Sequence, residues 1–167
     1  RELSKYHLEV HVLEKEDDVG NVTSMANSAI VHSGYDPRPE SLKAKLNVLG
    51  NAMFPSICEE LDVKFNQIGS LTVATSDEQI EILKELEQRA KLNNVHVQIL
   101  TSEEVKALEP NLTDNVKGAL LAKSAGIVDP FNLTIHAMEN ACDNGVILHF
   151  NEEVKNIVKN GDFYDVV

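Results

Sequence analysis

Residues 7–14 constrain the fold most: Leu8, Val10 and Val12 alternate with His7, Glu9 and His11, the period of two that marks a half-buried strand. Residues 1–6 before it read as the tail of a helix, and the strand ends on Leu13-Glu14-Lys15. The same alternation of strand and helix continues along the chain. Asp36-Pro37-Arg38-Pro39 forces an extended turn, after which Ser41 caps a helix with apolar positions Leu42, Leu46, Leu49, Met53 and Ile57. Pro55 falls inside that pattern, where it removes one N–H and crowds the carbonyl of Asn51, so a kink or a break into two helices is expected. A strand over residues 67–75 precedes a helix over residues 77–93, with Ser76 and Gln79 as a capping box and Ile80, Leu83, Leu86 and Ala90 on the inward face. Residues 95–100 and 117–122 read as strands, separated by a short helix capped by Thr101 with Glu104. Asp129-Pro130 starts a further helix and Asn144-Gly145 stops it; between them Leu133, Ala137, Met138, Ala141 and Cys142 form a core stripe. Residues 146–150 then form a strand, and Asn160-Gly161 turns a closing hairpin. The class is α/β, or α+β where the strands pair locally.

Composition limits what such a chain can do. With 167 residues and 43% hydrophobic content it can build a core, and its net charge of -12 repels phosphate backbones and anionic lipid, so no nucleic-acid partner is expected. No apolar run approaches the roughly 20 residues of a membrane span, and no secretory leader opens the sequence. Cys58 and Cys142 both lie in helical stretches and read as reduced core residues, which fits the cytoplasm. His7, His11, His96, His136 and His149 show no metal-ligand spacing, and no metal is expected.

Two stretches carry candidate chemistry. In a dinucleotide-binding unit the first strand is succeeded by a helix and then by a strand ending in an acid, which accepts hydrogen bonds from a ribose. The order of elements up to Glu14 fits that arrangement; otherwise Glu14 is a solvated strand-end acid. Residues 23–37, TSMANSAIVHSGYDP, set Thr23, Ser24, Asn27 and Ser28 before the apolar run Ala29, Ile30 and Val31, with His32 at its end. Hydroxyls, amides and backbone N–H groups in a turn can face an anionic or heteroaromatic ligand, or satisfy only their own backbone.

The blocks LEKE, TSMANSAIVHSGYDP, SLKAKLNV, LEPNL and GIVDPFNLTI, in this order, resemble the flavin-dependent glycerol-3-phosphate dehydrogenases and the related 2-hydroxyglutarate oxidases, within the FAD-dependent oxidoreductases typified by D-amino-acid oxidase. The resemblance implies an FAD cofactor and oxidation of a secondary alcohol, foremost sn-glycerol 3-phosphate and alternatively L-2-hydroxyglutarate. It implies that Glu14 binds the adenosine ribose with Lys15 beside it. Thr23, Ser24, Asn27 and Ser28 would lie against the pyrophosphate and ribityl chain, and the backbone of Glu153 and Val154 would contact the adenine. It puts His32 near the isoalloxazine, either as the base that takes the hydroxyl proton or as a structural histidine. Related sequences commonly have glycine where Ala29 stands.

The resemblance further implies a partial FAD-binding domain over residues 1–40 and 130–167, with an inserted α+β substrate domain over residues 41–129. Members open with a strand and a GxGxxG turn, so this chain reads as an internal fragment, inactive alone and with weak or no FAD affinity. An incomplete sheet edge would then invite a partner chain, a homo-oligomer among the options. A small-molecule substrate and a cytoplasmic, or in full-length form membrane-peripheral, location complete the expectation. The alternative from another class is a non-enzymatic binding or interaction module.

Overall fold

Local chemistry at the helix ends explains most of the framework in the computed structural model, which describes residues 1–167. Helices α2 (Asp77–Leu92), α3 (Ser102–Leu108) and α4 (Pro130–Asp143) each begin at a side chain that accepts from an otherwise orphaned N–H: Ser76, Thr101 and Asp129 respectively. At Thr101 the box is reciprocal, since Glu104 accepts from the Thr101 N–H at 2.8 Å. Ser76 forms only half of one: the Gln79 side chain accepts from the N–H of Thr75, at 2.6 Å, one residue further back. Helices α2 and α4 stop alike. Asn94 (φ 56) and Gly145 (φ 89) take the left-handed conformation, and the N–H of Val95 and of Val146 reaches back to Ala90 and Ala141.

The chain divides into two compact units. The first comprises Arg1–Ser28, Glu60–Val63 and Asp129–Val167. It opens with a short 3-10 helix, Glu2–Lys5, and contains a parallel pair of strands, β1 (His11–Leu13) and β8 (Ile147–His149), with His11 opposite Ile147 and Leu13 opposite His149. Helix α4 leads into β8. The strand expected over residues 7–14 is shorter because β1 has a partner on one side only. The hairpin β9 (Ile157–Asn160) and β10 (Phe163–Val166) is present, but Asn160 pairs with Phe163, so the turn residues are Gly161 and Asp162. Gly161, at φ 62, fills the first central position, where a two-residue hairpin turn needs a positive φ.

The second unit is Ala29–Glu59 with Lys64–Val128. Its larger sheet is antiparallel, β4 (Ser70–Ala74), β6 (Gly118–Ala122), β5 (Gln98–Thr101), with β6 central. Alternation along β6 splits the core between the two faces. Leu120 and Ala122 pack with Leu83 of α2, and Ala119 packs with Val105 of α3. A second antiparallel sheet sets β7 (Gly126–Val128) between β2 (Ile30–Val31) and β3 (Phe65–Asn66).

Helix α1 (Leu42–Glu60) departs from expectation twice. It runs unbroken through Pro55, whose ring lies on an exposed position, so the carbonyl left without its donor can turn to water. Its leucine stripe is not its buried face. Leu42, Leu46, Leu49 and Met53 are 54–70% exposed, whereas Ala44 and Cys58 are buried. On the same helix Val48 lies close to Gly34, where a Cβ would stand 2.8 Å from Val48 Cγ2, so the absence of a side chain at Gly34 is what admits the valine there. Cys142, expected in the core, is exposed, one residue beyond the buried Ala141 and so turned by a helical step.

Candidate functional site

Glu14 follows β1 directly, at the carboxyl end of a parallel strand pair, the place where open α/β sheets bind ligands. Its backbone is fixed on both sides, the N–H donating to His149 O and the carbonyl accepting from Glu152 N–H, each at 2.9 Å. One carboxylate oxygen accepts the N–H of Glu16 at 3.0 Å, and the other is available to accept from a ligand hydroxyl. Lys15 is exposed and pairs with Glu16 at 3.5 Å.

The polar stretch divides at the unit boundary. Thr23, Ser24, Asn27 and Ser28 belong to the first unit, where the Asn27 side chain donates to the carbonyls of Thr23 and Ser24, both at 3.0 Å. The Thr23 and Ser28 side chains are exposed and Ser24 is half-buried. Val154 is 42% exposed in the irregular segment before β9, not in the strand expected to carry it, because regular pairing begins only at Ile157.

His32 belongs to the second unit, at the end of β2, with its imidazole exposed. Ala29 has φ 60, and its carbonyl accepts from Val128 N–H at 3.0 Å. The resemblance puts glycine at this position, and the backbone supplies the reason, since a left-handed φ is the conformation glycine adopts without strain. Ser33 is buried and its hydroxyl has no protein partner. The adjoining cavity of about 360 Å³, lined also by Asn51, Gln67, His96 and Lys123, has room for water. A larger cavity of about 610 Å³ lies between Gln67–Leu71 and Leu108–Glu109 and contains none of the candidate residues.

One juxtaposition was not legible in the sequence. His11 and His149 stack with ring centroids 5.1 Å apart, His11 Nδ1 lies 2.8 Å from His149 Nε2, and Glu9 meets the other His11 nitrogen at 2.9 Å. Glu9, His11 and His149 are thus joined one to the next, and they do not form a group that could hold a metal ion. His136 Nδ1 lies 2.6 Å from the Leu61 carbonyl. Both contacts depend on strand register or chain reversal, which spacing alone does not reveal.

A parallel strand pair ending in an acid, followed by a hydroxyl- and amide-bearing turn, places the chain among α/β proteins with the sheet end where such folds take ligands. The chain belongs to the FAD dependent oxidoreductase (DAO) family, whose model matches residues 1–167. It is 48% identical over 168 residues to a glycerol 3-phosphate dehydrogenase from Caloramator mitchellensis, covering 100% of this chain and 35% of that protein. It is 34% identical over 151 residues to the mitochondrial L-2-hydroxyglutarate dehydrogenase of Pongo abelii, covering 90% of this chain and 36% of that one. Among solved structures, dithionite-reduced L-alpha-glycerophosphate oxidase from Mycoplasma pneumoniae with FAD bound superposes with a TM-score of 0.92 at 32% identity, over 99% of this chain and 44% of that one. The chain thus spans about a third of the length of the first relative it matches.

Proposed function

We propose that the protein carrying this chain is an FAD-dependent dehydrogenase that oxidises the secondary alcohol of sn-glycerol 3-phosphate. The observation that carries this reading is the 48% identity to a glycerol 3-phosphate dehydrogenase along the whole chain. The residues present fit FAD: Glu14 has a carboxylate oxygen available at the strand end, and the left-handed Ala29 keeps the conformation in which related sequences carry glycine. Glu14 would hold the ribose, with Lys15 beside it. Thr23, Ser24, Asn27 and Ser28 would line the pyrophosphate and ribityl chain, and the backbone at Val154 the adenine.

When bound, the flavin supplies the acceptor for the hydride leaving the carbinol carbon. A ring nitrogen of His32 takes the hydroxyl proton, since a neutral imidazole is a competent base near neutral pH. The exposed side chain leaves that nitrogen open to a substrate. On this reading residues 1–40 and 130–167 serve the flavin and residues 41–129 the substrate, although the compact units part at Ser28. The acidic charge balance and the two free cysteines support a cytoplasmic enzyme, which in full-length form could also lie against a membrane, and no helix of this chain is long and apolar enough to cross one. Strand β1 pairs on one side only, so its other edge can accept a further strand from the same polypeptide or from a second copy.

The 34% identity to an L-2-hydroxyglutarate dehydrogenase supports a second substrate reading, a 2-hydroxy acid. Anaerobic mixing of the full-length protein with each alcohol separates the two. Bleaching of the flavin band by glycerol 3-phosphate and not by L-2-hydroxyglutarate is expected; the reverse pattern, or a protein that takes up no FAD, overturns the assignment. His32→Asn should slow the bleaching by roughly 10²–10⁴-fold while FAD stays bound.

A further inference from the structure

Strand β2 ends at Val31, so the carbonyls of the segment beyond it, beginning with His32, have no ladder to satisfy them. Side chains on two helices do so instead. Asn51 of α1 uses one amide nitrogen twice, donating to His32 O at 3.2 Å and to Ser124 O at 2.9 Å. Asn93, just past the end of α2, donates likewise to Gly34 O at 3.0 Å and Pro37 O at 2.9 Å, and is itself only 9% exposed. Arg89 of α2 adds a bond to Asp36 O at 2.9 Å. Between these clamps Gly34 holds φ 91, and the Tyr35 hydroxyl meets Thr72 Oγ1 at 2.5 Å.

The exposed imidazole of His32 therefore stands on a backbone held at its own carbonyl and again two residues later. Asparagine suits such a clamp because its NH₂ offers two uncharged donors from one atom, which can bridge two carbonyls. Resting on the reading of His32 given above, we propose that Asn51 and Asn93 are positioning residues for that base, fixing its backbone so that the ring meets the substrate hydroxyl in one place. Misplacing a reacting group by about an ångström costs roughly a hundredfold in rate, so the clamps belong to the catalytic apparatus without touching substrate.

Aspartate in place of either asparagine keeps the shape and replaces both donors with acceptors. In the full-length flavoprotein, Asn51→Asp and Asn93→Asp should raise hydrogen–deuterium exchange of the amides at residues 32–36 by about tenfold. They should lower kcat by roughly ten- to a hundredfold, with KM and flavin content within about twofold of wild type. Ser102→Ala is the control for general softening, because it deletes a comparable bond, to Val116 O at 2.6 Å, remote from the segment; it should leave kcat and the exchange of residues 32–36 unchanged. Unchanged exchange in both aspartate variants overturns the clamp. Unchanged kcat, or an equal loss of kcat in Ser102→Ala, overturns the positioning role. His32→Asn, measured alongside, locates the failure: if it abolishes turnover the clamp was misassigned, and if it does not, the reading of His32 as the base falls instead.

Discussion

Replacing Ala29 by glycine should stabilise the protein, against the usual effect of introducing glycine. Ala29 sits at φ 60, and an L-residue with a Cβ in this region carries about 1–2 kcal/mol of steric cost. Glycine removes that cost but makes the unfolded chain freer, which opposes the gain by about 0.4–1 kcal/mol. Losing one half-buried methyl costs a few tenths more, at about 25 cal/mol per Å² of apolar area. The carbonyl bond from Val128 N–H is a backbone contact and survives the change. The balance is about 0.5 kcal/mol in favour of glycine, which for a chain of this size raises the melting temperature by roughly 1–2 °C. Ala29→Val should move the other way by about 1–2 kcal/mol, because a β-branched side chain tolerates positive φ least. The chain has no Trp, so thermal unfolding is best followed by far-UV circular dichroism. If the valine variant melts no lower than wild type while the glycine variant melts lower, residue 29 is not left-handed and the explanation of its family glycine fails.

Other substitutions test different parts of the fold. A Cβ on Gly126 would stand 2.6 Å from Phe65 Cε2 and 2.7 Å from Asn66 O, so Gly126→Ala should destabilise by about 1–3 kcal/mol in denaturant titration. Gly50, inside α1 with nothing within 4 Å of its would-be Cβ, should instead gain up to about 1 kcal/mol as Gly50→Ala. Thr101→Ala removes the cap of α3 and should cost about 1 kcal/mol, read in the same titration. Burial pushes the Cys58 thiol up, whereas Cys142 is exposed. A water-soluble thiol reagent should label Cys142 quickly in the native chain and Cys58 only with unfolding. The folded state keeps Cys58 protonated, so its contribution to stability is complete below the ordinary thiol value of 9.0 and fades as pH rises through the raised one.

What could be read directly from the sequence was chemistry acting within one turn of itself. Ser76, Thr101 and Asp129 start their helices where the spacing predicts, and Gly145 ends one where it should. Helix α1 misleads because periodicity offers two stripes and hydrophobic size favours the leucines. The buried stripe is the one with Ala44 and Cys58, a choice that depends on which neighbours the helix meets and that periodicity does not carry. The hairpin turn moved by one residue for a related reason: Asn-Gly and Gly-Asp are both turn dipeptides, and the pairing of Asn160 with Phe163 selects the second. The family resemblance designated Glu14 and His32, but it carried no trace of what holds them.

That support differs between the two halves of the polar stretch, and the difference bears on function. Within residues 23–28, the Asn27 side chain bonds carbonyls three and four residues back. The half beginning at His32 is held by Asn51, Arg89 and Asn93, which lie 19, 53 and 59 residues from the carbonyls they first reach. A cofactor-lining turn can tolerate small adjustments, because each of its several hydrogen bonds contributes a little. A proton acceptor has no such latitude, since the rate depends steeply on one distance and productive geometry must hold to about half an ångström. On the roles proposed above, long-range bonds at His32 suit a base whose position must be held closely, and the short-range bonds of Asn27 suit a turn that lines a cofactor.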